Sequence, residues 1–135
     1  MSRRSVRFLS VDEVTQINEE VTRRHGGSHG VLNDNMLRSA VHQPQAAYGG
    51  EPLYPDLYAQ AAAYLISVAL AHAFHDGNKR TAFICVVAFM RLNGVRLKLR
   101  HRAAEQLVMD VVLHKLRSWE EVRDALIEAQ APRQR

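Results

Sequence analysis

The sequence predicts a mainly α, single-domain fold of five or six helices packed around a central apolar helix, with a short flap or hairpin. Three observations predict it. Apolar residues recur at helical spacing in blocks separated by Gly, Pro, Asn, Asp and Ser. The run Ala82 to Met90 is apolar nearly all round, as suits an element surrounded by others. The stretch from Gln45 to Pro55 holds two glycines and two prolines and has no helical period, so it reads as a long loop or small hairpin. The chain's 135 residues, 47% hydrophobic and 24% charged, suffice to bury a core without disulfide or structural metal. One domain is expected over residues 1–130, with a tail at 131–135 that frays.

The elements follow in order. Ser10 and Glu13 form a capping box, after which Val14, Ile17 and Val21 keep helical spacing until Gly26-Gly27 ends it. Gly26 to Gly30 reads as a flexible loop. Asn33 or Asp34 can cap a short helix carrying Met36, Leu37, Ala40 and Val41, halted before Pro44. Asp56 can cap a helix through Leu57, Ala61, Leu65 and Val68 that ends near His72. The apolar helix runs from about Thr81 to Leu92 and closes at Asn93-Gly94. Val95 to Leu99 alternates apolar and basic residues, the pattern of an extended segment with one wet face. Leu107, Val108, Val111 and Val112 mark a further helix, and Ser118 with Glu121 opens the last, carrying Val122, Ala125, Leu126 and Ala129.

The polar chemistry concentrates on His72-Ala73-Phe74-His75-Asp76-Gly77-Asn78-Lys79-Arg80, between two helical stretches. A loop entering a helix presents unpaired N–H groups at the positive end of the macrodipole, which suits phosphate. Each residue has a use there. Histidine titrates near neutrality, so His72 is the candidate general base. Asp76 is a hard oxygen ligand suited to Mg²⁺. Gly77 allows the positive φ of an anion nest, and Asn78 tolerates that region and adds an amide. Lys79 offers a point charge and Arg80 a planar fork for phosphoryl oxygens. Phe74 faces inward as the loop's anchor. An ordinary helix–helix turn is the plain alternative; the concentration of residue types, roughly one in 10⁹ by chance per start position at average usage, weighs against it.

This segment resembles the signature of the Fic/Doc family, HxFx(D/E)GNxR, and in particular its Doc (death-on-curing) branch, where Lys follows the Asn as Lys79 does here. The resemblance extends through Arg24-His25-Gly26-Gly27, Pro44-Gln45, Tyr48-Gly49-Gly50, Leu53-Tyr54-Pro55 and Leu92-Asn93-Gly94. Family members that transfer AMP have a small residue at the position of Lys79 and a second Arg where this chain has Phe83. Both departures match the Doc branch, whose members are toxins that transfer the terminal phosphate of ATP to a protein hydroxyl. The resemblance therefore implies a protein Ser/Thr kinase using ATP and Mg²⁺, with His72 as base, Asp76 on the metal, and Gly77, Asn78, Lys79 and Arg80 around the phosphates. It implies elongation factor Tu as target, inhibition of translation, and a cognate antitoxin acting in trans. It also implies that Gln45–Pro55 is a flap beside the active site, whose backbone edges can pair with an extended target segment, with Tyr48, Gly49, Gly50 and Tyr54 as contact candidates, although packing on the core is at least as strong an alternative for each tyrosine. An inhibitory helix marked (S/T)xxxE(G/N) occurs in some relatives; the nearest match, Thr15 to Glu19, is followed by Glu20 and reads as chance.

Two other readings compete: transfer of AMP or another nucleotide-derived group, and a noncatalytic module that binds an anion or RNA. Lys79 and Phe83 disfavour the first. His72 and Asp76 disfavour the second, because binding alone needs neither a base nor a metal ligand. The formal charge of +4 allows an acidic partner. Its densest cluster is Arg91, Arg96, Lys98, Arg100 and Arg102, read as a solvated face or a surface for an acidic partner. Aromatic residues make up 7% and none interleaves with the cluster, so nucleic acid is not expected to bind directly. The longest apolar run falls far below the ~20 residues of a membrane span, and no signal-peptide core follows Arg3, Arg4 and Arg7, so a cytoplasmic protein is expected. Cys85 reads as a buried structural thiol, and His25 with His29 as no metal pair.

Overall fold

The computed structural model describes residues 5–130; the fraying expected at 131–135, and Arg3 and Arg4, lie outside them. Six α-helices are present among the described residues: α1 (Val11–His25), α2 (Asp34–His42), α3 (Leu57–Ala71), α4 (Asn78–Leu92), α5 (His101–Val112) and α6 (Trp119–Ala129). A 3-10 turn at Gln43–Gln45 carries Pro44 where α2 can no longer continue. After it come two short antiparallel strands, β1 (Ala47–Tyr48) and β2 (Glu51–Pro52), paired Ala47 to Pro52 and Tyr48 to Glu51.

Local chemistry accounts for four of the six helix starts. At α1 the Ser10 side chain accepts from the Glu13 N–H (3.1 Å) while Glu13 Oε1 accepts from the Ser10 N–H (2.8 Å). Ser118 and Glu121 repeat the arrangement at α6. Asn33 caps α2 and Asp56 caps α3 through their side-chain oxygens. Each such cap contributes about 1 kcal/mol. At the far end of α4, Asn93 bonds both backbone groups of Arg7, fastening the N-terminal strap to the helix bundle.

The apolar helix α4 lies in the core, with Ala82, Cys85, Val86, Phe89 and Met90 fully buried. The most enclosed helix, however, is its neighbour α3, which packs against α2, α4, α5 and α6. Its Ala59, Ala61, Ala62 and Ala63 explain the difference: these small side chains let four neighbours approach closely, although each buries less apolar surface than the Phe, Ile and Val of α4. Tyr64 of α3 packs on Phe89 at 5.0 Å between ring centres, and its hydroxyl accepts from the Leu9 N–H at 2.8 Å. That bond satisfies the one polar atom of a fully buried ring, and burial pushes the phenol's pKa up. Among the described residues no helix is long and apolar enough to cross a membrane.

Candidate active site

The connection from α3 to α4 is built as a braced loop. α3 ends on His72, which adopts the left-handed conformation (φ 50°, ψ 42°), so the chain turns sharply and leaves the imidazole exposed. Histidine is among the residues that visit this region at modest cost. The backbone then pairs with the segment before α2. The Leu32 and Asn33 N–H groups donate to the Ala73 carbonyl at 2.7 and 3.1 Å, and the His75 N–H donates to the Gly30 carbonyl at 3.1 Å. Phe74 is buried in the main core and fixes the loop from beneath.

Asn78 closes the loop on itself. Its Oδ1 accepts from the Phe74 N–H and its Nδ2 donates to the Phe74 carbonyl, both at 3.0 Å. Its side chain is therefore occupied as a brace, and what Asn78 can offer a ligand is its backbone N–H. A second amide, Asn18 of α1, is buried and donates to the Asp76 carbonyl (2.8 Å) and to Thr81 Oγ1 (3.1 Å). Gly77 sits at φ 76°, and a Cβ there would lie 3.1 Å from Val21 and 3.3 Å from Thr22, so α1 packs directly on this turn. Both conformation and space call for glycine.

The segment Gly26 to Gly30, expected to be flexible, is a second brace. The Ser28 N–H donates to Asp76 Oδ2 at 2.8 Å. Gly27 makes this possible, because a Cβ at that position would stand 2.9 Å from the Asp76 Cβ. One carboxylate oxygen of Asp76 is thus aimed and held, while Oδ1 has no partner among the described residues and is free to meet a cation.

The consequence is an open helix start. Gly77 is the N-cap of α4 and makes no side-chain cap, and the first donor used in the helix is Thr81, to the Gly77 carbonyl at 2.8 Å. The N–H groups of Gly77, Asn78, Lys79 and Arg80 have no acceptor among the described residues. The first N–H groups of any helix lack an intrahelical acceptor, and here, with a glycine N-cap, no side-chain cap and no acid in the first turn, an anion is the natural partner. Lys79 and Arg80 are exposed beside it and form no ion pair among the described residues.

These residues line one end of an open groove of about 840 Å³ between α1, α4 and α5. His72, Asp76, Gly77, Asn78, Lys79 and Arg80 all border it. Beyond the loop its walls turn apolar: Ile17 and Val21 from α1, Phe83 and Ile84 from α4, Val108 and Met109 from α5. Sequence reasoning did not foresee the contributions of α1 and α5. Glu20 lines the groove, held by Arg23 and by Arg24 (2.9 Å), and these cations keep its carboxyl below the usual range. Glu19, the acid of the inhibitory-motif match, does not border the groove.

The flap residues separate. Tyr48 is 85% exposed at the hairpin, next to Gly49 and Gly50, which form its tip. Tyr54 is buried, edge-on to Trp119 at 5.7 Å, with its hydroxyl taking the Gln43 amide N–H at 2.9 Å. Of the two alternatives for Tyr54 the structure takes packing, so it is withdrawn as a target contact. Its polar tip had a partner eleven residues back that no local pattern announces. Cys85 is buried and its thiol is pushed up to about 12 by burial, which excludes it as a nucleophile. Among the described residues no three His, Cys, Asp or Glu side chains are grouped to hold a metal; an ion shared between one carboxylate and phosphate oxygens requires no such group.

Residues 8–90 match the sequence pattern of the Fic/DOC family. Over 72 residues the chain is 46% identical to a Mycolicibacterium smegmatis protein named Toxin Doc, a stretch amounting to 53% of this chain and 55% of that relative. Over 92 residues it is 32% identical to an Escherichia phage P1 protein named Protein kinase doc, covering 68% of this chain and 72% of that relative. The chain thus spans about half the length of the first relative and over two thirds of the second.

Proposed function

The chain belongs to the Fic/DOC family, and we propose that it is a Doc-type toxin acting as a protein kinase, which moves the γ-phosphoryl group of ATP to a Ser or Thr hydroxyl of a translation protein, elongation factor Tu, in the cytoplasm. The observation that carries this reading is the open start of α4, where, among the described residues, the N–H groups of Gly77 to Arg80 have no acceptor and the two cations beside them no ion pair. Such a start fits a chain of phosphates. The name of one relative, Protein kinase doc, supports the same class of activity, and that of the other, Toxin Doc, supports a toxin's role.

In this mechanism the Gly77–Arg80 N–H groups, Lys79 and Arg80 hold the phosphates and take up charge as it shifts in the transition state. Mg²⁺ would neutralise further phosphate charge, and the free Oδ1 of Asp76 is the atom suited to hold it, with Oδ2 kept in place by Ser28. His72 accepts the proton of the target hydroxyl. The hydroxyl oxygen bonds to the γ-phosphorus as the bond to the β–γ bridging oxygen breaks, and ADP departs. Phe83 supports phosphoryl rather than AMP transfer: it presents an apolar ring to the groove where an AMP-transferring relative has a second Arg. The exposed hairpin at Tyr48 to Gly50 would align the target segment. An antitoxin acting in trans completes the proposal, in keeping with the name Toxin Doc of one relative.

Intact-mass analysis of elongation factor Tu incubated with the protein, Mg²⁺ and ATP tests this directly. A gain of one phosphoryl group, absent with His72→Ala, is the expected result. A gain the size of AMP would instead establish nucleotidyl transfer despite Lys79 and Phe83.

A further inference from the structure

Outside the groove, the least explained part of the molecule is the extended segment Val95 to Arg100 between α4 and α5. Val95, Leu97 and Leu99 are half-buried against the main core, while Arg96, Lys98 and Arg100 point outward and are exposed. The alternation is that of a strand, yet no strand pairs with it among the described residues. Val95 donates to the Met90 carbonyl and Lys98 to the Gln130 side chain at 3.3 Å. The N–H groups of Arg96, Leu97, Leu99 and Arg100, and the carbonyls from Val95 to Leu99, have no partner among the described residues. The three outward cations form no ion pair there either, in contrast to Arg23, Arg24, Arg38 and Arg123.

We propose that Val95–Arg100 is a docking edge for an extended acidic segment of a partner polypeptide, which adds as a strand and sets its carboxylates against Arg96, Lys98 and Arg100. Two independent features select this occupant. Unpaired extended backbone is satisfied by another extended backbone and by no duplex or lipid surface. Cations on every second residue repeat at about 6.6 Å, the spacing of same-face side chains on an added strand, so alternating Asp or Glu residues match them one to one. Single-stranded nucleic acid would match the charge but not the backbone, and no aromatic residue interleaves with the cations from Arg96 to Arg100 for a base to stack on. His101, the next residue, lines the active-site groove, so a segment bound on this edge ends at the groove's mouth.

The test uses a short blocked peptide alternating Glu and Val, with single-stranded oligothymidylate of similar length as competitor. Binding is read by fluorescence anisotropy and by amide hydrogen exchange of the whole protein. The peptide should bind and slow exchange at Leu97 and Leu99, and Arg96→Glu with Lys98→Glu should weaken it at least tenfold. The equal charge change Lys115→Glu with Arg117→Glu, on the exposed α5–α6 connection, should leave it within twofold. If the charge reversal disturbs the fold, Arg96→Gln with Lys98→Gln replaces it. Absence of binding, binding without protection of Leu97 and Leu99, equal loss in both charge-reversed proteins, or tighter binding of the oligothymidylate would each overturn the proposal.

Discussion

The starts of α1 and α4 answer the same physical problem in opposite ways. Both helices begin with N–H groups that have no partner within the helix. At α1, the Ser10 and Glu13 side chains each take up the other's N–H, and the first turn carries Asp12 and Glu13, the charges that the helix dipole favours. At α4 the N-cap is Gly77, no side chain caps the turn, no acid occupies it, and Lys79 and Arg80 stand at its positive end. By the rules that stabilise helices, α4 starts badly. The difference teaches where the molecule gives up stability, and an anion is the missing element that would make the second start as complete as the first.

Substitutions at the two starts should therefore separate activity from stability. The largest effect is expected just before the open start: His72→Ala should reduce phosphoryl transfer by ~10²–10⁴-fold, the usual worth of a positioned base, with only a small fall in melting temperature from placing Ala in the left-handed region. A folded variant that turns over at nearly the normal rate would remove His72 from the chemistry. Gly77→Ala should act on both properties. Its left-handed conformation penalises a Cβ by about 1–2 kcal/mol, and the contact with Val21 at 3.1 Å adds to that. Urea denaturation should show the loss, and the thermal shift given by ATP with Mg²⁺ should disappear. At the closed start, Ser10→Ala should cost about 1 kcal/mol of stability and leave transfer untouched. A fall in activity there would mean that α1 positions the site more tightly than its contacts with Gly77 suggest.

The same contrast explains what could be read from the sequence. The capping boxes at Ser10 and Ser118, the helix stop before Pro44 and the Asn93-Gly94 end are encoded within a few neighbouring residues, and the structure has each of them. The cluster from His72 to Arg80 was visible because its residue types are unusual together. Its supports were not, because they cross the chain: Asn18 reaches Asp76 over 58 residues and Ser28 reaches it over 48. Asn18 did leave a trace, a polar residue on the apolar stripe with Val14 and Val21, and polar residues on such stripes belong to networks more often than to error. The glycines from Gly26 to Gly30 look flexible by composition; Gly27 is there for close approach to Asp76, a property of the partner and not of the segment itself.

The smallest expected effect discriminates most sharply, because it changes sign. Lys79 is exposed in the first turn of α4, where the dipole repels a cation and no acid offsets it. Lys79→Ala should therefore stabilise the nucleotide-free protein by a few tenths of a kcal/mol, since it removes that repulsion and puts the best helix former in its place. In the presence of ATP and Mg²⁺ the order should reverse, because the variant loses a phosphate partner and with it part of the ligand-linked stabilisation. Melting temperatures of the two proteins, measured with and without nucleotide at low salt, should cross. Parallel curves would mean that Lys79 is an ordinary surface cation, and that the open start of α4 is completed by Arg80 and the backbone alone.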